Sequence, residues 1–230
     1  MSKSWHVGYL AVIATLLVFH FSSGTDDRSR FQAALIEKTG NYSNVEWLGV
    51  PVWQSVLDLW TLQETIYEVK PELLVECGTF KGGSSYFFGQ LFDLMGHGRV
   101  ITVDIQKQHD LAHPRVTYLI GDCAGPEIVR RITEEASRAT GPVMVVLDSD
   151  HSQAHVEREL AAYHEIVTAG SYLHVQDGVI DTLPMFASSR PGPLRAIEAF
   201  LPEHPEFEVD EAKSSRFLIT HHPKGWLRRR

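Results

Sequence analysis

The sequence has 230 residues, of which 43% are hydrophobic, enough for one well-filled α/β domain and too few for two comfortable ones. The formal net charge is −8 at pH 7 and the basic residues cluster only at 228–230, so we expect no nucleic-acid partner. The two cysteines, Cys77 and Cys123, lack partners at metal-ligand spacing, and we expect them to be reduced, mostly buried thiols of an intracellular protein.

An apolar run covers residues 7–21. It is shorter than the roughly 20 residues that span a bilayer comfortably, which suits a signal-peptide core or a short anchor. Lys3 stands before the run and Arg28 and Arg30 follow it, a weak positive-inside bias for a cytosolic domain. We therefore predict a hydrophobic segment over 1–30 that anchors or touches the membrane, with a cytoplasmic domain over 31–230. A cleaved signal peptide and a buried helix of a soluble enzyme are the alternatives.

Beyond residue 30, strand and helix signals alternate as they do in βαβ units. The uninterrupted apolar run at 143–147 is what a parallel strand buried on both faces requires. The pattern predicts an α/β fold with a Rossmann-like, doubly wound, mostly parallel seven-stranded sheet and helices on both faces. We predict helices at about 54–69, 83–95, 125–139, 152–167 and 192–201, and strands at about 72–77, 100–104, 116–122, 143–148, 171–177, 206–210 and 216–221.

Residues 74–83 indicate a buried strand that leads into a glycine-rich turn and then a helix. Glycines permit positive φ and let a ligand approach the backbone closely. The spacing Glu-x-Gly-x-x-x-Gly-Gly is not the dinucleotide fingerprint. It resembles the first motif of S-adenosylmethionine-dependent methyltransferases, although a turn with glycines for purely steric reasons is the alternative. The expected cofactor-binding residues here are Glu76, at the methionine end of the cofactor, with Gly78, Thr79, Gly82 and Ser84.

Four of the predicted strands end in an acidic residue, and the carboxyl ends of parallel strands line one crevice. Asp104 follows Gly78 by 26 residues, where a carboxylate can accept both ribose hydroxyls of a nucleoside. Asp122 ends the third strand, where it can meet the adenine amino group. A helix cap or a turn is the alternative role for each.

A second group of polar residues follows the fourth and fifth strands, namely Asp148, Asp150 and His151, then Gln176 and Asp177. Hard oxygen donors from two strand ends suit Mg²⁺, which can lower the pKa of a substrate hydroxyl. We expect Asp148, Asp150, Gln176 and Asp177 to hold the metal, and Asp148 and His151 to act in catalysis, with His151 accepting the hydroxyl proton. An Asx turn is the alternative role for one of the two aspartates near 150.

Over about residues 45–230 the sequence resembles the cephalosporin hydroxylase / rhamnosyl O-methyltransferase family. The resemblance implies a class I methyltransferase fold, S-adenosylmethionine and Mg²⁺ as cofactors, and a hydroxyl acceptor on a sugar, glycolipid or secondary metabolite. Family members tend to carry Glu-Asp where this chain has Gln176-Asp177, so we expect weaker Mg²⁺ binding rather than none. The matching blocks are 47–52, 57–60, 76–79, 147–151, 170–173 and 223–229.

The sequence thus predicts an S-adenosylmethionine-dependent O-methyltransferase, and a cofactor made in the cytosol argues against export. The alternative is a membrane-associated cofactor-binding protein of the same fold that has lost efficient catalysis. Residues 178–193 are expected to form a lid, with a disordered connector as the alternative. Trp47, Trp53 and Trp60 can stack on the acceptor, although core packing is expected for at least two of them. Self-association through the N-terminal segment would make a homo-oligomer.

Overall fold

The computed structural model describes residues 27–230, so the apolar run at 7–21 lies outside the described residues. Within that range, each helix is too short or too polar to span a bilayer. The first helix, α1, covers 27–39. It is followed by a two-stranded hairpin, β1 at Glu46–Trp47 and β2 at Val50–Pro51.

The centre of the fold is a seven-stranded sheet with the order β5-β4-β3-β6-β7-β9-β8. Strands β3 to β7 pair in parallel, and β9 runs antiparallel to both β7 and β8. This is the doubly wound, mostly parallel sheet that the sequence predicts. The strands are β3 Leu73–Cys77, β4 Arg99–Asp104, β5 Val116–Ile120, β6 Val143–Leu147, β7 Tyr172–Val175, β8 Phe207–Val209 and β9 Trp226–Arg229.

Helices cover both faces of the sheet because the central strands are apolar on both faces. In β3, the side chains of Leu73, Val75 and Cys77 pack in one core cluster and that of Leu74 packs in the other. Helices α2 and α3 pack on the Leu74 side, and α4, α5 and α6 pack on the opposite side. The helices are α2 Val56–Val69, α3 Gly83–Met95, α4 Pro126–Ser137, α5 Gln153–Tyr163, α6 Pro193–Phe200 and the short α7 Glu211–Ser214.

The predicted strand at 216–221 is wrong. Leu218 lies in the left-handed region with φ 69° and is 69% exposed. The hydrogen-bonding groups of the next residues are taken up by a side chain and not by a neighbouring strand. The buried carboxylate of Asp58 accepts from the Thr220 hydroxyl at 2.5 Å and from the His221 amide at 2.9 Å. The final strand is β9, so the basic C-terminal residues are part of the sheet and are not simply a solvated tail. Arg229 also donates to the carbonyl of Glu165.

The segment after β7 is ordered, in contrast to the disordered-connector alternative. It forms two short 3₁₀ helices, Gly178–Asp181 and Pro184–Ser189. The Asp181 carboxylate accepts from the amides of Gly192 at 2.9 Å and Leu194 at 3.0 Å, which caps the start of α6. A lid function for this segment stays a prediction.

At Gly78, the residue after β3, the backbone lies very close to the backbone at the end of β6. A Cβ at this residue would lie 1.9 Å from the carbonyl oxygen of Asp148, and φ is +100°. Gly170 is a matched control, because φ is +81° there and a Cβ would meet nothing within 4 Å. We expect Gly170→Ala to cost about 1 kcal/mol through left-handed strain alone. Gly78→Ala adds a backbone clash, so we expect it to cost about 3 kcal/mol or more.

Urea denaturation of both variants tests this difference, read from the midpoints at a constant m value. Equal midpoints for the two variants would show that the turn after β3 can move away from β6 without cost.

Candidate active site

A cavity of about 760 Å³ lies at the carboxyl ends of the parallel strands. Each parallel strand sends a residue from its end, or from the loop that follows, into the cavity wall. These residues are Gly78 after β3, Asp104 in β4, Asp122 after β5, Asp148 after β6 and Asp177 after β7. The carboxyl ends of strands are where open parallel sheets bind ligands, as expected from the sequence.

Most of the predicted cofactor residues line this cavity. Gly78, Thr79, Ser84, Asp104 and Asp122 are in its wall. The structure places Glu76 and Gly82 outside the wall. Gly82 is the N-cap of α3 with φ 79°, so it shapes the turn.

Glu76 lies inside β3 and is 1% exposed. The Thr102 hydroxyl donates to its Oε2 at 2.5 Å, while Oε1 has no hydrogen-bond partner among the described residues. Burial raises the pKa of Glu76 to about 7, although the Ser84 and Thr102 hydroxyls oppose this effect. A buried carboxyl oxygen without a hydrogen-bond partner, two residues before Gly78 of the cavity wall, fits a cationic ligand group. A direct contact with the cofactor stays a prediction.

The two other predicted cofactor carboxylates already have protein partners. Asp104 Oδ2 accepts from the Phe80 amide at 2.7 Å, and its Oδ1 accepts from the Gln106 amide at 3.2 Å. Each carboxylate oxygen has a second acceptor position, so ribose hydroxyls can still bind Asp104. Asp122 pairs with Arg158 at 2.8 Å, and this hydrogen bond holds the pKa of Asp122 below its usual range.

Asp148, His151 and Asp177 form the acidic cluster of the cavity, with ligand atoms all within 4.8 Å of one another. His151 Nε2 lies 3.2 Å from Asp177 Oδ2 and 4.0 Å from Asp148 Oδ1. Burial, followed by the nearby carboxylates of Asp177 and Glu76, raises the pKa of Asp148 well above its usual range. Among residues 27–230, the basic side chains within 4.0 Å of the Asp148 and Asp177 carboxylates are histidines and not Lys or Arg.

Two amides complete the acidic cluster. Gln176 is 1% exposed, and its amide lies 3.1 and 3.2 Å from the two carboxylate oxygens of Asp148. Gln54 donates to Asp148 Oδ2 at 2.7 Å, and its side chain also lies against the Gln176 amide. Sequence reasoning missed Gln54, which is 94 residues from Asp148 along the chain and belongs to no motif.

Asp150 does not join this group. It is exposed, and its Oδ1 accepts from the Ser152 amide at 2.8 Å in an Asx turn before α5. That bond is the main reason why the pKa of Asp150 lies below its usual value. The alternative role for one of the two aspartates therefore fits Asp150, whereas Asp148 lies in the acidic cluster.

The backbone of Asp177 is also specialised. Its φ is 56°, and its amide donates to His222 Nδ1 at 2.8 Å. Because Nδ1 accepts this bond, it carries no proton. The bond holds the left-handed turn that directs the segment after β7 along the cavity.

The donor set fits the two cofactors predicted from the sequence. Two carboxylates from neighbouring strand ends, with no Lys or Arg of the described residues paired to either, suit a hard divalent cation such as Mg²⁺. Asp148 and Asp177 would hold it, with Gln176 beside them. The residues at the ends of β3, β4 and β5 suit a nucleoside-bearing ligand, because they combine a glycine turn with an acidic residue on each of the next two strands.

The sheet order and the crevice at its carboxyl edge define this structure as a class I methyltransferase fold. The model of the family described as Rhamnosyl O-methyltransferase/CmcI matches residues 39–230. The chain belongs to this family, which confirms the resemblance seen in the sequence.

Curated relatives and a solved structure agree with the family assignment. Rhamnosyl O-methyltransferase of Mycobacterium bovis (strain BCG / Pasteur 1173P2) is 33% identical over 199 residues, covering 81% of this chain and 80% of the relative. The enzyme of the same name from Mycobacterium leprae (strain TN) is 33% identical over 198 residues, covering 83% and 86%. A solved structure of CmcI with Mg and SAM matches with a TM-score of 0.63 at 21% identity, covering 83% of this chain and 78% of that one, and supports the fold.

Glu76 makes the stability of the protein depend on pH. The folded state holds its proton up to about pH 7, whereas the unfolded chain releases it near 4.5, so stability falls as pH rises through this window. We expect Glu76→Gln to remove the part of this dependence that Glu76 contributes and to be more stable than the parent at pH 8, by up to about 3 kcal/mol. At pH 4 the two proteins should be equally stable.

Urea denaturation in chelator, without cofactor, at pH 4, 6 and 8 measures the effect. Parallel stability curves for the two proteins would mean that Glu76 is not the titrating group.

Proposed function

We propose that this protein transfers the methyl group of S-adenosylmethionine to a hydroxyl of a sugar-containing acceptor, with Mg²⁺ bound at Asp148 and Asp177. The main support is the acidic cluster, in which the Asp148 and Asp177 carboxylates converge beside the proposed cofactor crevice with no Lys or Arg of the described residues paired to either. The relatives named rhamnosyl O-methyltransferases support a rhamnosyl group as the acceptor.

The cofactor is already activated, because its methyl group is bonded to a sulfonium, and the protein has to align the reacting atoms and exclude water. In our proposal Asp104 accepts the ribose hydroxyls and Glu76 supplies negative charge toward the amino group. Val179, Ile180 and Phe186 of the segment after β7 also line the cavity. In our proposal these apolar side chains limit the access of water. When bound, Mg²⁺ supplies Lewis-acid chemistry that lowers the pKa of the acceptor hydroxyl.

His151 is the proposed proton acceptor. Its Nε2 lies 3.2 Å from Asp177 Oδ2 and 4.0 Å from Asp148 Oδ1, so the ring is at the edge of the site where the acceptor hydroxyl would be held. The hydroxyl proton then passes to His151 as the oxygen bonds to the methyl carbon and the carbon–sulfur bond breaks. The products are a methyl ether and S-adenosylhomocysteine. Gln176, an amide where family members tend to carry a carboxylate, should weaken Mg²⁺ binding because it supplies no charge.

A matched pair of aspartate variants tests the metal role. We expect Asp148→Asn to lower methyl transfer to methyl α-L-rhamnopyranoside by about a hundredfold or more, because it removes a charged ligand from the metal site. Asp150→Asn should change the rate less than about threefold, because its side chain only forms a turn. Transfer is measured with S-adenosylmethionine labelled at the methyl group, with and without chelator, and calorimetry measures Mg²⁺ and cofactor binding.

Full activity of the parent in chelator would rule out the metal mechanism. Cofactor binding without metal binding or transfer would instead favour the alternative, a binding protein of the same fold that has lost catalysis.

We further propose that residues 7–21 bring the catalytic domain to the cytosolic face of a membrane, where a glycolipid acceptor would be accessible. The support is the apolar sequence of this run. The full chain should sediment with vesicles of anionic lipid, and a chain of residues 27–230 should stay in the supernatant. Equal sedimentation of the two chains would contradict this role.

A further inference from the structure

Two aromatic residues of the cavity wall have left-handed backbone conformations. Trp53 has φ 57° and Phe80 has φ 46°. Their rings meet edge to face, with centroids 5.2 Å apart. Both line the cavity, and they are 38% and 36% exposed. Bulky residues rarely adopt this conformation, and such strain persists only where the surrounding structure holds it.

Two hydrogen bonds position this aromatic pair between the proposed cofactor side of the cavity, at the ends of β3 to β5, and the proposed metal side, at the ends of β6 and β7. The Phe80 amide donates to Asp104, the proposed ribose ligand, at 2.7 Å. Gln54, the residue after Trp53, donates to Asp148 of the acidic cluster at 2.7 Å. A ligand that packs on the two rings therefore sits between the cofactor side of the cavity and the metal side, which is where a methyl acceptor belongs.

Neighbouring groups make the pair a binding surface for a ring with one apolar face. Tyr42 extends the aromatic surface, with its ring centroid 6.1 Å from that of Trp53. The Lys81 ammonium lies 5.4 Å from the centroids of both Trp53 and Phe80, where it adds a hydrogen-bond donor at the edge of the surface. Aromatic rings flanked by a donor suit a sugar ring, which has C–H groups on its faces and hydroxyls around its edge.

The other two tryptophans considered from the sequence have different surroundings. Trp47 packs on Phe87 of α3, with centroids 4.9 Å apart. Trp60 is on the outer side of α2, where its indole donates to Glu64 at 3.1 Å. Neither lines the cavity, so the stacking role can fall only to Trp53 among the three.

We propose that Trp53 and Phe80 form the platform that binds the pyranose ring of the acceptor and holds its hydroxyl toward the acidic cluster. This assignment rests on the proposed function, which names a sugar-containing acceptor. The ligand class is a pyranoside with an apolar face, such as a deoxyhexoside. Strain in the backbone is the cost of presenting both rings to the cavity.

The test removes each ring and keeps its backbone conformation. Asparagine tolerates left-handed φ, so Trp53→Asn and Phe80→Asn lose the ring without new strain. Leu48→Asn is the matched control, because Leu48 also has a left-handed φ of 50°, is 71% exposed and does not line the cavity. The probe is the methyl α-L-rhamnopyranoside used above. Kinetics give KM for the probe and for S-adenosylmethionine, and saturation-transfer NMR with S-adenosylhomocysteine and Mg²⁺ gives probe binding without turnover.

We expect each ring variant to raise KM for the probe by about tenfold, equivalent to the loss of one aromatic stack. KM for S-adenosylmethionine should stay within about twofold, and saturation transfer to the ring protons of the probe should fall. The control should match the parent in both measurements. If the rings had only a structural role, the two ring variants would have a lower melting temperature than the parent and an unchanged KM for the probe.

The outcomes separate this proposal from the proposed function. If the parent methylates the probe and both ring variants behave like Leu48→Asn, the platform is wrong and the proposed function stands. If the parent binds the probe through Trp53 and Phe80 but transfers no methyl group, the platform stands and the proposed function fails. Absence of probe binding to the parent would overturn the platform for pyranosides.

Discussion

The close approach of two backbone segments at Gly78 is the constraint on which the site depends. The turn after β3 comes so near the end of β6 that a single methyl group at Gly78 would clash with the Asp148 carbonyl. The backbone bonds from Asp148 to Cys77 at 2.8 Å and from Gly78 to Val103 at 2.8 Å join three adjacent strand ends at this point. The proposed cofactor residues on β3 and β4 are thereby held beside Asp148, the proposed metal ligand that follows β6.

That proximity concentrates negative charge at the centre of the fold. Burial is the main cause of the raised pKa of Asp148, and the nearby carboxylates of Asp177 and Glu76 add to it. In a site of low dielectric, several carboxylates without cationic partners are unfavourable until a cation arrives. The same electrostatic cost that destabilises the empty protein therefore favours a divalent metal and a cationic cofactor. Stability and ligand binding are opposed here, as they often are at functional sites.

The sequence predicted those parts of the fold and the site that a single physical effect determines. Strands β3 to β7 could be predicted because strands buried on both faces are apolar throughout. The meeting of the acidic residues at one edge could be predicted because parallel strands end on the same side of the sheet. The prediction at 216–221 failed because the Asp58 side chain, more than 150 residues earlier, takes the hydrogen bonds that a strand partner would have taken. Gln54 was missed for the same reason, since a contact between distant residues leaves no local pattern. Asp148 and Asp150 are both aspartates two residues apart, and contacts that the sequence does not reveal distinguish them: the turn bond of Asp150 to Ser152 and the bond that Asp148 accepts from Gln54.

The hydrogen bonds that hold the strained residues of the cavity involve the groups that the chemistry needs. Asp104 is the proposed ribose ligand, and it also accepts from the Phe80 amide. Asp177 is a proposed metal ligand, and its own left-handed backbone is held by His222. A substitution at Asp104 would therefore weaken cofactor binding and release the aromatic pair together, so its effect on activity cannot be assigned to one role. Variants that remove a ring while keeping its backbone separate these roles, because they leave the carboxylates and their hydrogen bonds in place.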